Sequence, residues 1–392
     1  MIDVFILSGQ RTAIGDYGKS LKDVSPARLG EVAIRAAIGQ SGVEAAEIEQ
    51  VVMGHVIHTE PRDAYLSRVA AVEAGISVEA PALTVNRLCG SGMQAIVSAV
   101  QSIILGDAGL AVAGGAESMS RGGYLLPAER WGARLGDGQV LDMVVGALHD
   151  PFGHGHMGIT AENVAARYDV TRAQQDEFAA ESHRRAAAAI AAGYFKTQIA
   201  PVELPSRKGT VIFDTDEHPR ADTTAASLAA LRPAFKKDGT VTAGNASSLN
   251  DGAAALVLAG GAEVARRNLK PMARIAAYSH AGVAPEVMGL GPIPASRNAL
   301  RKAGLTIADI DVIESNEAFA AQACAVAKDL AFDPAKVNPN GGAVALGHPI
   351  GASGAIITIK ALYELHRIGG RYALVTMCIG GGQGIALVLE RV

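Results

Sequence analysis

Cysteine is nearly absent, with three in 392 residues. An odd, sparse set excludes a disulfide-stapled scaffold and suits free thiols in a reducing compartment, so the cytoplasm is the expected location. No cysteine pair has ligand spacing, and neither a metal nor a bound cofactor is expected. Aromatic residues make up 4% of the chain and charged residues 19%, with a net charge of −4. Lys and Arg are dispersed, which leaves no footprint for nucleic acid or an anionic membrane. No apolar run is expected to reach the roughly 18–20 residues that a membrane span needs. The opening MIDVFILSGQRT carries Asp3 and no basic segment, so it reads as a first strand and not as a signal peptide. Polar linkers and low-complexity tracts are missing too, and the units of this long chain must share packed interfaces.

What is plentiful is glycine, 45 residues, in a chain that is 49% hydrophobic. The glycines cluster as GGA, GSG and GGG, a sign of tight turns and close backbone approaches. Apolar strand-like runs alternate with helical patterns: VFILSG, ARLGEVAIRAAIGQSG, VVMGHVI, LTVN, then GLAVAGGAES. This is βαβ grammar with buried, mostly parallel strands. The last third repeats it. GVEAAEIEQVV begins at Gly42 and GLTIADIDVIE at Gly304, an offset of 304 − 42 = 262. The same offset lays Gly90–Gly92 on Ala352–Gly354, which argues for an internal duplication. Between the halves, from Ser118 to Asn250, the grammar breaks. Thr171 with Gln174 three residues on predicts a capping-box helix start there. An insertion this long is expected to be a lid, a substrate-binding element or an oligomerisation arm.

Four stretches can carry chemistry. In VNRLCGSGMQAIVSAV, Cys89 stands where a strand-like run stops and a helix begins. It is either a buried apolar residue or a thiolate whose pKa is lowered by the helix N-terminus. In NPNGGAVALGHPIGASGA, His348 lies on the turn equivalent to the one carrying Cys89. A cysteine nucleophile commonly needs such a base. In VTMCIGGGQG, Cys378 ends a strand before glycines that expose backbone N–H groups. The strand-like IALVLERV that follows denies a phosphate loop its helix. In SNEAFAAQACAV, Asn316 could orient a water or simply cap the next helix; Cys324, inside that helix, reads as buried. Two exposed thiols and one imidazole point to a nucleophile paired with a thiol acid/base.

NRLCGSGMQAI, NEAFAAQ, NPNGGAVALGHPIGASGA and CIGGGQG resemble, in order, the four signature blocks of the thiolase family, and the likeness spans the whole chain. It is nearest to the bacterial biosynthetic 3-ketothiolases of polyhydroxyalkanoate synthesis. The resemblance implies an α/β thiolase fold: two duplicated βαβαβαββ halves, a five-layered α-β-α-β-α core and a long inserted loop domain. The implied boundaries are 1–117 plus 250–270 for the N-terminal half, 118–249 for the loop domain and 271–392 for the C-terminal half.

It further implies an acyltransferase that condenses acetyl-CoA with an acyl-CoA, releasing coenzyme A, and runs in reverse. Cys89 would hold the acyl group, His348 would activate it, and Cys378 would move the α-proton. Asn316 would hold a water in one oxyanion hole, and the N–H groups of Cys89 and Gly380 would form another. Coenzyme A would meet His156, Met157, Arg220, Ser227, Phe235, Ala243, Ser247 and Phe319. Arg220 is followed by Ala221 where relatives often carry histidine. A homotetramer is implied, with Tyr124 to Gly138 as the arm. The alternatives are a silent coenzyme A or lipid-binding homologue, or a related condensing enzyme. The latter would replace Cys378 and Asn316 with other groups.

Overall fold

A computed structural model describes residues 3–392. The N-terminal half runs β1 (Val4–Thr12), α1 (Pro26–Ser41), β2 (Gln50–Gly54), α2 (Leu66–Glu73), β3 (Ala82–Val85), α3 (Ser91–Leu105) and β4 (Leu110–Ser118). The excursion from residue 119 to 249 carries α4 (Met157–Tyr168) and α5 (Arg172–Ala191), after which β5 (Asn250–Gly260) completes the half. The C-terminal half runs β6 (Ala273–Gly282), α6 (Pro292–Ala303), β7 (Val312–Ser315), α7 (Ala320–Asp329), α8 (Ser353–Ile368), β8 (Tyr372–Ile379) and β9 (Gln383–Arg391).

The duplication is structural. Moving by 262 residues takes the start of β2 at Gln50 to Val312, of α3 at Ser91 to Ser353, and of β4 at Leu110 to Tyr372. The strand orders agree as well: β1-β5-β4-β2-β3 in one half and β6-β9-β8-β7 in the other. The fifth strand of the second half has shrunk to a single bridge between Ile313 and Val337. The paired motifs at Gly42 and Gly304 are helix ends, since both glycines cap α1 and α6 in the left-handed region, at φ 79 and 70. Glycine takes that conformation without the penalty a Cβ would impose.

One expectation needs correction. The sheet is mixed, because every pair made by β5 and β9 is antiparallel. β9 follows β8 through the tight Gly380–Gly382 turn, with no helix to carry the chain back, so antiparallel pairing is the only short connection. The two halves also share one hydrogen-bonded sheet, joined where Phe5 and Ile6 of β1 pair with Arg274 and Ala273 of β6.

α3 and α8 form the middle layer, with the α1 and α2 side of the first half and the α6 and α7 side of the second outside. A helix walled on both sides is apolar all round. That is why Leu88–Leu105 has a mean hydropathy of 1.5 over 18 residues, contrary to the expectation that no stretch reaches that length. The helix inside it has 15 residues, about 22 Å long, short of a ~30 Å hydrocarbon layer. The capping box at Thr171 is present, and Arg11 of β1 grips Asp216 of the excursion through two fully buried bonds of 2.7 and 2.8 Å.

Candidate active site

The ends of the two middle helices bring the site together. Gly92 of α3 and Gly354 of α8, equivalent in the duplication, meet where those helices cross. A Cβ on Gly92 would lie 2.9 Å from Ala355 N and 3.1 Å from Ala352 O, and one on Gly354 would overlap the backbone of Met93. Only hydrogen allows this approach. It sets the loop ending in Cys89, just before α3, against the loop carrying His348, just before α8. Asn316 follows β7, Cys89 lies just past β3 and Cys378 is the penultimate residue of β8, so these three gather at carboxyl ends of strands, where open α/β sheets place their ligands.

The turn at Cys89 is strained. Leu88 has φ 44, a left-handed conformation that costs a branched residue of order 1–2 kcal/mol. Two side chains hold it there: Asn86 Oδ1 accepts the Leu88 N–H at 2.9 Å, and Ser91 Oγ accepts the Arg87 N–H at 2.8 Å while donating to Leu88 O at 2.6 Å. The helix N-terminus does not produce a free thiolate. Burial pushes the Cys89 thiol up to about 11, opposed by the N–H groups of Gly380 and of Cys89 itself, with Glu117 adding to the rise. Cys378 is 1% exposed, not open as its glycine-rich setting suggested, and burial with the neighbouring Cys89 raises its pKa strongly.

His348 is buried, and burial holds its imidazole down to about 4. Its backbone N–H donates to Asn250 Oδ1 at 2.8 Å. Nδ1 lies 2.6 Å from Ser353 Oγ, which itself donates to Pro349 O at 2.8 Å. With the hydroxyl hydrogen committed, Nδ1 carries the proton and Nε2 keeps a lone pair. Asn316 Nδ2 is 3.4 Å from that Nε2, and Asn316 Oδ1 is buried with no protein partner. The helix-cap role is excluded, because the N-cap of α7 is Phe319.

A cavity of about 430 Å³ opens on Cys89, His348, Cys378 and Gly380 together with His156, Met157, Phe235, Ala243, Ser247 and Phe319, while Asn316 stands outside its lining. His156 stacks on Phe235 at 4.6 Å, and Phe319 meets Phe235 edge-on at 6.3 Å. Ser247 donates both N–H and Oγ–H to Ala318 O at 3.0 Å, tying the excursion to the Asn316 segment. Arg220 and Ser227 do not line the cavity; both are exposed, and Ser227 belongs to the capping box of a five-residue helix. Sequence reasoning missed the apolar side of the wall, namely Met119, Val144, Leu148, Leu249, Met288 and Ile350. It also missed Asn250 and Ser353, although Ser353 stands at the duplicate position of Ser91. A second cavity of about 400 Å³ lies between α4, α5 and α7 and holds Cys324, which is half-buried and pushed up to about 12 by burial and Glu317. Among the described residues no group of three or more His, Cys, Asp or Glu is placed to hold a metal ion.

Residues 4–262 match the family model for the thiolase N-terminal domain and residues 269–391 that for the thiolase C-terminal domain. The chain belongs to the thiolase family. It is 64% identical to the beta-ketothiolase BktB of Cupriavidus necator, over 100% of this chain and 99% of the relative. The Bacillus anthracis acetyl-CoA acetyltransferase superposes with a TM-score of 0.98 at 47% identity, covering 100% of this chain and 99% of that one. Human mitochondrial 3-ketoacyl-CoA thiolase in complex with CoA gives 0.96 at 44% identity, covering 100% and 98%. In this thiolase the four signature blocks are the four segments that frame the cavity.

Proposed function

We propose that this thiolase is an acyl-CoA C-acyltransferase acting as a 3-ketothiolase. It condenses acetyl-CoA with an acyl-CoA to 3-ketoacyl-CoA plus coenzyme A, reversibly and by ping-pong turnover through an acyl-Cys89 thioester. The observation that carries this reading is the meeting of two thiols, Cys89 and Cys378, with the buried imidazole of His348 in a single apolar cavity.

Each group has a task that its surroundings fit. With the thiol near 11 and the imidazole near 4, the resting pair is uncharged. His348 Nε2 takes the Cys89 proton only as the sulfur attacks the acyl carbon, so charge appears in the transition state rather than in the waiting enzyme. The N–H groups of Cys89 and Gly380 meet the oxyanion of the acyl group. His348 Nε2, which keeps the proton taken from Cys89, and a water held by Asn316 Nδ2 meet the enolate formed when Cys378, left a thiolate by protonating the departing coenzyme A, removes the α-proton of acetyl-CoA. That enolate attacks the thioester carbon, and Cys89 leaves with the electron pair of the broken C–S bond and regains its proton from His348.

Met157, Phe235 and Phe319 pack the pantetheine arm, with His156, Ala243 and Ser247 beside it, while Arg220 and Ser227 serve the nucleotide at the surface. The loop domain, 118–249, carries this site between the halves 1–117 plus 250–270 and 271–392. Its outward apolar arm, with Trp131 84% and Leu135 100% exposed, joins dimers into a homotetramer. Three free thiols suit work in the cytoplasm.

The test is a set of initial thiolysis rates on acetoacetyl-, 3-ketovaleryl- and 3-ketohexanoyl-CoA with Cys89→Ala as blank. Comparable rates on all three, abolished in the blank, are expected. Activity on acetoacetyl-CoA alone would restrict the enzyme to that substrate, and no activity would leave a silent binding protein.

A further inference from the structure

Three ionisable side chains that the proposed mechanism does not use sit directly behind the cavity wall. His55, just after β2, is 1% exposed; Asp63, in a short turn before α2, and Glu117, near the end of β4, are both 0% exposed. Buried charges of this kind are poor stabilisers, since apolar replacements of the same volume frequently do as well or better. Their geometry suggests another reason for them. Glu117 accepts the N–H groups of Val56 and Ile57, each at 3.1 Å, and of Gly351 at 2.9 Å. Gly351 closes the loop that begins at His348, and a Cβ there would stand 2.5 Å from Glu117 Oε2. The carboxylate thus fastens the imidazole loop of one half onto the other half.

His55 sits between the two carboxylates. Its Nδ1 lies 2.9 Å from Ala116 O and 3.3 Å from Glu117 Oε1, and its Nε2 lies 3.7 Å from Asp63 Oδ2. A carboxylate on each side favours the imidazolium by charge, although Nε2 makes no hydrogen bond. Burial lowers its pKa, but Asp63, Glu117 and the Ala116 carbonyl outweigh that and raise it. Asp63 is fixed in turn by the N–H groups of Thr59 and Glu60 and by the Thr59 hydroxyl, and His58 stacks on His55 at 5.4 Å. The groups facing Cys89 from other elements are Glu117, His348, Cys378 and His156.

We propose that Asp63, His55 and Glu117 are positioning residues for the thiol–imidazole pair: Glu117 holds the His348 loop, and His55, kept protonated by Asp63, offsets the charge of Glu117 so that Cys89 can ionise. The proposal rests on Cys89 and His348 acting as assigned above. Its test does not depend on turnover. The rate of iodoacetamide alkylation at Cys89, located by mass spectrometry, is followed against pH in full-length protein whose fold is checked by thermal melting.

Glu117→Gln removes the charge and, with its one oxygen kept on Val56 and Gly351, turns an N–H group towards the Ile57 N–H. The alkylation profile moves to lower pH by about one unit, while kcat falls tenfold or more with KM little changed. His55→Gln and Asp63→Asn leave Glu117 uncompensated, and their profiles move to higher pH. Should Glu117→Gln not fold, the upward shifts in the other two decide. Profiles that all stay with the wild type, or all move the same way, overturn the proposal. A wild type that alkylates at Cys89 but shows no thiolysis would instead refute the functional reading, leaving the shifts to be judged on their own.

Discussion

His348 illustrates how one buried side chain can link chemistry to stability. An imidazole normally titrates near 6.5, and burial holds this one to about 4. Between those values the unfolded chain binds a proton that the folded chain does not. The stability this group contributes is therefore present above about 6.5 and lost as pH falls towards 4, at most roughly 3 kcal/mol. His348→Asn is expected to flatten the fall of the melting temperature between pH 6.5 and 4 while abolishing most activity at pH 7–8; an unchanged slope would show that the ring is not kept neutral. At this scale the sequence was informative for reactive residue types. Cys89, His348 and Cys378 stood out because thiols and imidazoles in glycine-rich turns have few structural uses. Met119, Val144 and Ile350 did not, because an apolar wall residue and an apolar core residue look alike until a cavity separates them. Nor could motif spacing reveal that burial, and not the helix end, dominates the Cys89 thiol.

Among the elements, the crossing of α3 and α8 matters most, since it sets the distance between the loop of Cys89, the proposed nucleophile, and the loop of His348, its proposed base. Alanine in a helix interior gains about 1 kcal/mol over glycine by propensity. At Gly354 that gain is outweighed, because the added methyl overlaps the Met93 backbone and overpacking costs about 1–3 kcal/mol. Gly354→Ala is expected to lower stability in denaturant titration and to cut kcat tenfold or more even where the protein is fully folded. Wild-type kcat in a destabilised variant would mean that the crossing does not set the active-site distance. GSG and ASG were visible in sequence as matched motifs, and the register they fixed was right to the residue. Their reason was not visible, because a close approach involves two segments at once. Strand direction was misjudged for a similar reason: β5 and β9 are as apolar as buried parallel strands, and only the lack of a crossover helix before β9 betrays the antiparallel turn.

For the molecule as a whole, the excursion between β4 and β5 supplies both the walls of the cavity and the most exposed apolar surface. Trp131→Glu with Leu135→Glu is expected to convert the proposed tetramer to dimers in light scattering, with thiolysis per protomer within about threefold of wild type, since neither residue lines the cavity. A variant that stays tetrameric would place the interface elsewhere. The fold was largely legible at this scale because the duplication doubles every signal. The shared sheet through β1 and β6 was not, since two residue pairs leave no periodic trace. The 262-residue correspondence has a consequence for origin. At the equivalent position His348 meets Asn86, and Cys89 meets Gly351, so neither copy holds a whole site. An ancestor of half this length would have had to pair with itself about a twofold axis, the glycines of its two helices touching on that axis and two identical loops facing each other. Fusion freed those loops to diverge, and one became the nucleophile's turn while the other became the base's.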